Sequence, residues 1–325
     1  MQIGTKNMLK TVNKLVLASA ALAAVLGAQS CATNPVTSMP LVQATTKPVE
    51  DVVSGDRPAM WRLADEDTEI FLFGTFHILP PGTDWTSAAM DAAMADTTTT
   101  YIEADGKSPQ AQQELQQVMQ QYGLNPAGVT LSSILGAERA AKFAVVAEQY
   151  GVPLANLEPL RPWLASMTLS LVAYQQAGFD FQSGAETTII AKAKEQNDAM
   201  RNLETGVEQI KALASLDEIQ DYTSFDEELA QLANLKEEIA PVVEAWRTGD
   251  LKTIEHSLVK MIRDVSPAAF DILLKNRNAN WVRHITALMT GEGSYFIAVG
   301  AAHLVGKDSV VDMLREGGYV VMRVQ

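Results

Sequence analysis

Segments that predict buried β-strands lie near the two ends of this 325-residue chain, and a long stretch with helical periodicity separates them. Near the amino end, residues 59–64 and 69–78 form two apolar runs around a polar turn, which predicts a hairpin whose second strand is apolar on both faces. Near the carboxyl end, residues 294–299 and 318–324 have the same character. Because strands are stable only when they pair, both ends of the chain are expected to build one sheet.

The remaining elements complete this plan. Two further strands are predicted at residues 96–103 and 151–157, and the region from 159 to about 290 is almost entirely helical by its periodicity. Three candidate capping boxes begin helices there: Thr205 with Glu208, Ser215 with Glu218, and Ser224 with Glu227. We therefore predict an α/β fold, with a mixed central sheet built from both chain ends and a long, mainly helical insertion, in a single domain over residues 58–325.

The amino terminus predicts export. Three lysines precede an apolar run that is too short to span a bilayer, the pattern of a signal peptide over residues 1–30. Cys31 lies in a Ser-Cys-Ala sequence that resembles a bacterial lipobox, although Ala28 stands where Leu is usual, so lipidation of Cys31 is favoured over ordinary cleavage before it. Residues 31–57 predict a tether. The expected location is the periplasm, with a lipid anchor on Cys31 in the outer membrane as the membrane contact.

Composition excludes several kinds of function. Cys31 is the single cysteine, so the folded body holds no disulfide, no cysteine-ligated metal and no cysteine nucleophile. The formal net charge of −14 opposes binding to phosphate backbones, so no nucleic-acid partner is expected. The chain also lacks the His-Glu-x-x-His, Gly-x-Ser-x-Gly and Gly-x-Gly-x-x-Gly motifs. Chemistry must come from His, carboxylates, Ser, Thr, Lys, Arg or Tyr.

Two of the four histidines share one context. Gly74 precedes His77 by three residues at the end of one apolar strand, and Gly300 precedes His303 in the same way at the end of another. A third predicted strand ends near Glu103. Because the carboxyl ends of strands form the sites of open α/β sheets, these side chains would suit a catalytic divalent metal with an open water position. Each also has a structural interpretation, as a hydrogen-bonded strand end or a helix cap, and the residues alone leave both open.

Arg277 lies in a predicted helix over residues 268–289. There it could clamp a substrate carboxylate or stabilise an oxyanion, since a guanidinium binds carboxylates and developing negative charge well. The alternative is a salt bridge at the helix surface.

The ordered set of motifs resembles the TraB/GumN family, from about residue 58 to the carboxyl terminus. The segments that carry the resemblance are the opening motif at 71–82, Glu103 after Tyr-Ile, Glu204 in Leu-Glu-Thr, the Arg277-Asn278 pair, and the Gly-Ala-Ala-His sequence within 295–306. This family is related to the metal-dependent Tiki proteases, and more distantly to erythromycin esterase-like and haem-binding ChaN-like proteins.

The resemblance implies roles for particular residues. His77, Glu103 and His303 become metal ligands or acid–base residues, and Arg277 becomes a supporting active-site residue. The leading hypothesis is therefore an exported metal-dependent hydrolase, first of all a peptidase, that uses manganese, cobalt or zinc on a peptide or protein substrate.

Two alternatives stay open, as does the residue that shuttles the proton. The chain could be a non-catalytic envelope protein that binds a peptide or a haem-like ligand, or a metal-independent esterase that uses His and Glu directly. In the leading hypothesis, Glu204 or Glu186 is the candidate proton shuttle.

Overall fold

The computed structural model describes residues 56–105, 109–219 and 235–325, together with Leu229 and Leu232. The predicted signal peptide, Cys31, nearly all of the tether, and the capping box of Ser224 and Glu227 lie outside the described residues.

The described residues contain six strands, which join in one mixed sheet. In chain order they are β1 (Met60–Ala64), β2 (Thr68–Thr75), β3 (Thr99–Asp105), β4 (Ala199–Thr205), β5 (Gly293–Gly300) and β6 (Met322–Arg323). Their spatial order is β4-β3-β5-β2-β1-β6. The strands β4, β3, β5 and β2 run parallel, whereas β1 is antiparallel to both of its neighbours. The predicted α/β fold with a mixed sheet is confirmed.

The centre of the sheet joins the two ends of the chain, as predicted. β2 pairs with β5 in parallel along its whole length, from Thr68 opposite Gly293 to Thr75 opposite Gly300. Successive residues of β2 and of the second half of β5 are buried, so both faces of the central strands are covered. The predicted hairpin of β1 and β2 is present as well.

One predicted strand is wrong. Within residues 151–157 the structure forms a short helix, Leu154–Leu157, instead of a strand. Pro153 stands at its N-cap and lacks the backbone donor that a strand ladder needs, and Gly151 adopts a positive φ of 68° that breaks an extended run. Leu157 is the buried residue of this single helical turn.

One strand was missed, and another is shorter than expected. β4 interrupts the region predicted to be almost wholly helical, and it lies at the edge of the sheet, where Leu203 is its one fully buried residue. An edge strand with so little burial carries no alternating apolar signal. At the other edge, β6 covers two residues of the predicted 318–324.

The helices that surround the sheet vary widely in length. Their bounds are α1 (Ala88–Ala95), α2 (Pro109–Tyr122), α3 (Leu131–Gln149), α4 (Leu154–Leu157), α5 (Pro162–Gln176), α6 (Ala185–Gln196), α7 (Gly206–Ala214), α8 (Leu216–Ile219), α9 (Leu235–Arg247), α10 (Leu251–Ile254), α11 (Met261–Val265), α12 (Pro267–Phe270), α13 (Asn276–Leu288) and α14 (Val310–Glu316). None of these described helices is long and apolar enough to cross a bilayer.

Local signals explain how the helices near the strand ends begin. Thr205 accepts from the Glu208 backbone N–H while the Glu208 carboxylate accepts from the Thr205 N–H, so α7 begins with the predicted capping box. The Ser215 hydroxyl instead donates to the Ala212 carbonyl. A π-helical segment, Asp271–Lys275, joins α12 to α13 and gives the continuous helix that was predicted to carry Arg277.

Candidate active site

Side chains from four adjacent parallel strands meet at one rim of the sheet. In spatial order, Glu204 lies at the end of β4, Glu103 near the end of β3, His303 in a 3₁₀ turn after β5, and His77 just beyond β2. All four are buried or nearly so, with His77 among the more accessible. The rim predicted from the Gly-x-x-His strand ends is therefore where these residues come together.

Three of these side chains surround a single point beside Gly300. A Cβ atom placed on Gly300 would stand 3.2 Å from Oε1 of Glu103, 3.4 Å from Nε2 of His77 and 3.5 Å from Cδ2 of His303. The predicted residues His77, Glu103 and His303 thus converge, with an imidazole nitrogen and a carboxylate oxygen directed at the same place.

His77 is held by a carboxylate from outside the sheet. Its Nδ1 lies 2.6 Å from Oε1 of Glu186, and the Thr75 hydroxyl donates to the same oxygen. Burial lowers the pKa of His77, but the charge and hydrogen bond of Glu186 and the charge of Glu103 together raise this pKa to about 9. The Nδ1–H is thereby committed to Glu186, and Nε2 is the nitrogen that faces the site.

The start of α6 delivers Glu186 to this position. The Ala185 backbone N–H donates to the Phe76 carbonyl at 3.0 Å, and Glu186 follows in the first turn. Gly184 packs directly against the backbone of His77. A Cβ atom on Gly184 would stand 2.1 Å from the His77 carbonyl oxygen. Its φ of −60° and ψ of 152° suit any residue, so backbone conformation does not require a glycine here. The close contact with His77 does require one.

All five N–H donors of Arg277 have hydrogen-bond partners within the protein. Nε donates to Glu204 at 3.0 Å, and Nη2 donates to Glu103 at 2.8 Å and to Glu204 at 2.6 Å. Nη1 donates to the Leu273 carbonyl at 3.0 Å and lies 3.1 Å from Nε2 of His303. A guanidinium has no further donor, so Arg277 organises the neighbouring side chains and has none left for a substrate oxyanion in this arrangement.

Asn278 fixes the tautomer of His303. Its Nδ2 donates to the Asp308 carbonyl at 2.8 Å, so its Oδ1 must face Nδ1 of His303, 2.6 Å away, and accept a hydrogen bond from the Nδ1–H. Nε2 of His303 is then unprotonated, and its lone pair is directed at Arg277. Burial, together with the Arg277 charge, lowers the pKa of His303 to about 3, and the Trp281 ring packs on the imidazole with centroids 4.4 Å apart.

The two carboxylates that flank Arg277 differ in their environments. Glu103 accepts from the Gly300 N–H at 2.7 Å, and although burial raises its pKa, Arg277, both histidines and this N–H lower it to about 2. Burial raises the pKa of Glu204 in spite of Arg277. The Gln209 amide donates to both, at 3.3 Å to Glu103 and 3.2 Å to Glu204, and so bridges the pair. Glu103 is thus ionised across the physiological range.

These contacts bear on the predicted metal site. No group of three or more His, Cys, Asp or Glu side chains within the described part of the chain is arranged to hold a metal ion. The lone pair of His303 Nε2 faces Arg277 Nη1, and one oxygen of Glu103 is taken by Arg277 and Gln209. In this arrangement Arg277 contacts two of the three predicted ligands, His303 and Glu103, and the metal at this rim stays a prediction.

Several side chains of this cluster were not predicted as site residues. Gln209 and Thr75 carried no signal of their own, and Asn278 was marked just as the neighbour of Arg277. Glu186 was one of two candidate proton shuttles. His256 and His284, predicted to lie on solvated helix faces, are exposed.

Comparison with known proteins supports the resemblance seen in the sequence. The TraB/PrgY/gumN family matches residues 59–323. Among curated proteins, the uncharacterized protein YbaP of Escherichia coli K12 is 24% identical over 192 residues, which cover 58% of this chain and 70% of YbaP. YbaP of Shigella flexneri matches to the same extent. No solved structure matches the chain significantly.

Proposed function

We propose, from the premise that this chain belongs to the TraB/PrgY/gumN family, that it is an exported hydrolase of amide or ester bonds in which His77 moves the proton. The observation that carries the proposal is the placement of His77. Its Nδ1 is anchored on Glu186, and its Nε2 faces the same point as the ionised Oε1 of Glu103. A carboxylate-anchored imidazole with an inward Nε2 is the arrangement of a general acid–base catalyst.

In the proposed reaction, His77 takes one proton from water and then gives that proton to the leaving group. Neutral His77 takes a proton from water at Nε2 while the water oxygen bonds to the scissile carbonyl carbon. The resulting imidazolium then returns that proton to the leaving nitrogen or oxygen as its bond to carbon breaks. The negative charges of Glu186 and Glu103 favour the imidazolium formed between these two steps.

The other buried groups act by position. With its pKa of about 2, Glu103 is too weak a base to take a proton from water near neutrality, and it serves as a fixed negative charge. Arg277 holds Glu103, Glu204 and His303 in place through four of its five donors. Removing it would leave two buried carboxylates without their common cation.

Access to the site favours a slender substrate. The His77 and Glu186 side chains are 10% and 16% exposed, whereas Glu103, Arg277 and His303 are each exposed by less than a tenth. A reacting group must therefore approach from the side of His77 and Glu186. An extended peptide segment satisfies this requirement better than the surface of a folded protein does, so we propose a peptide as the substrate.

The metal-independent route is the one that the contacts favour. A guanidinium lies against His303 and Glu103 where the metal hypothesis requires an ion. Manganese, cobalt or zinc at His77, Glu103 and His303 stays a prediction, and hydrolysis that survives removal of bound metal would separate the two routes.

The test compares His77→Gln with a matched control, His256→Gln, on an exposed helix face. Purified residues 32–325 would be assayed on p-nitrophenyl acetate and on a pool of quenched fluorescent peptides, with and without a chelator, and their metal content would be measured. We expect His77→Gln to lose about 100-fold or more in kcat/KM, in the range for loss of a general base, and His256→Gln to match the wild type. Equal activity of both variants would refute the role of His77. Saturable peptide binding without turnover in the wild type would favour the binding-protein alternative.

A further inference from the structure

The last residue pair of the β2–β5 ladder donates to both carboxylates whose charges act on His77. Thr75 and Gly300 lie opposite each other at the carboxyl ends of these two parallel strands. The Thr75 hydroxyl donates to Oε1 of Glu186, and the Gly300 backbone N–H donates to Oε1 of Glu103 at 2.7 Å. Two neighbouring positions of the sheet therefore hold the two negative charges that favour the imidazolium form of His77.

Of these two donors, the Thr75 hydroxyl is the one that a side chain supplies. Thr75 is 1% exposed, and a buried hydroxyl costs free energy unless it is hydrogen-bonded. A valine has the same shape and suits a buried strand as well as a threonine does. Because a carboxylate can only accept, the hydroxyl must point its proton at Glu186. The contact with Glu186 is thus what the hydroxyl adds at this position.

Glu186 needs a second contact to stay against His77. It extends from the first turn of α6 as a long side chain that is partly exposed, so its carboxylate has water as an alternative partner. Its Oε1 lies 2.6 Å from Nδ1 of His77 and accepts from Thr75 as well. A donor on a buried strand restrains this oxygen where the imidazole requires it.

We propose that Thr75 is a positioning residue: its hydroxyl holds Glu186 against Nδ1 of His77, so that the imidazole keeps the orientation in which Nε2 takes part in the reaction. This assignment rests on the proposed function and deepens it, since it names the group that orients the partner of the base. Thr75 acts through Glu186 and does not itself contact the reacting atoms.

The first test does not depend on turnover. Thr75→Val removes the hydroxyl and keeps the shape of the side chain, whereas Thr75→Ser keeps the hydroxyl. In ¹⁵N-edited NMR spectra, the exchange of the His77 Nδ1 proton with solvent reports how firmly Glu186 holds it. We expect Thr75→Val to speed this exchange by about tenfold or more, and Thr75→Ser to leave it within about twofold. An unchanged exchange rate in Thr75→Val would overturn the proposal, as would an equal acceleration in both variants.

Thr100→Val is the matched control for lost stability. Thr100 is fully buried near the start of β3, and its hydroxyl donates to Asp198 at 2.9 Å. The variant therefore loses the same kind of contact at a place that does not touch His77. We expect it to lose about as much stability in urea as Thr75→Val does, with the exchange at His77 unchanged. Acceleration as large as that in Thr75→Val would show a general loosening of the fold and would overturn the proposal.

The second test separates this proposal from the proposed function. Thr75→Val should lose about tenfold or more in kcat with KM within about twofold, and Thr75→Ser should restore kcat. If His77→Gln is inactive but Thr75→Val has the exchange rate and kcat of the wild type, the role of Thr75 is wrong and the hydrolase remains. If His77→Gln is fully active, the proposed function fails, and the exchange rates still decide whether Thr75 holds Glu186 in place.

Discussion

Among single residues, Asn278 decides which nitrogen of His303 carries the proton. Its amide is oriented by the Asp308 carbonyl, which accepts from Nδ2, and this leaves Oδ1 as the acceptor for His303. His303 is in consequence an acceptor at Nε2, and that lone pair lies against Arg277. The neutral state of His303 is therefore built into its surroundings.

Replacing Asn278 with Asp tests this arrangement. The variant loses the donor to Asp308 and sets a carboxylate against a carbonyl oxygen at a position that is 1% exposed. We expect the free energy of unfolding to fall by about 1–3 kcal/mol, as measured in urea. Asn280→Asp, on an exposed face of the same helix, is the control and should change it by less than about 0.5 kcal/mol. Equal stability of the two variants would show that the Asn278 contacts are incidental.

At the scale of elements, the site depends on how α6 meets the end of β2. Gly184 allows the backbone before Glu186 to touch the His77 carbonyl, and the Ala185 N–H ties the helix start to Phe76. The carboxylate therefore reaches His77 through a backbone contact between two elements that lie far apart along the chain.

Gly184→Ala should separate these two elements. Because its Cβ would overlap the His77 carbonyl oxygen, we expect a loss of about 1–3 kcal/mol in unfolding free energy and a fall in the pKa of His77 as Glu186 retreats. Urea unfolding and an NMR titration of the imidazole measure the two effects. Gly291→Ala, whose Cβ would meet its nearest neighbour at an ordinary 3.6 Å, is the control. If the pKa of His77 in Gly184→Ala were unchanged from that of the wild type, the importance of this contact would be contradicted.

The same contrast between local and distant contacts explains what could be predicted. The apolar runs of β2 and β5, each ending in Gly-x-x-His, predicted both the central strands and two residues of the candidate site, His77 and His303. β4 was missed because an edge strand with a single fully buried residue has no apolar alternation. Gln209 and Thr75 act through side chains far away in the sequence, and no local pattern records such pairings.

Across the whole molecule, the sheet is what assembles the site. Neither end of the chain holds a complete set of groups, since His77 and Glu103 come from the amino-terminal strands and Arg277 and His303 from the carboxyl-terminal part. The parallel pairing of β5 with both β2 and β3 places their carboxyl ends at one rim. The sequence predicted this convergence, but it could not predict that Arg277 would donate to Glu103 and lie against His303, two of the three expected metal ligands.

The most direct measurement of the central claim is an NMR titration of the His77 imidazole in wild type, Glu186→Gln and Glu195→Gln. Because Glu186 raises the pKa of His77 to about 9, the wild-type imidazole should stay protonated up to that pH, and kcat/KM should rise with pH until His77 is neutral. Glu186→Gln removes the charge that opposes burial, so the pKa should fall by more than about one unit, and the rise in kcat/KM should move to lower pH. The exposed Glu195, on the same helix, should have no effect. A pKa near the ordinary 6.5 in all three proteins would contradict the account.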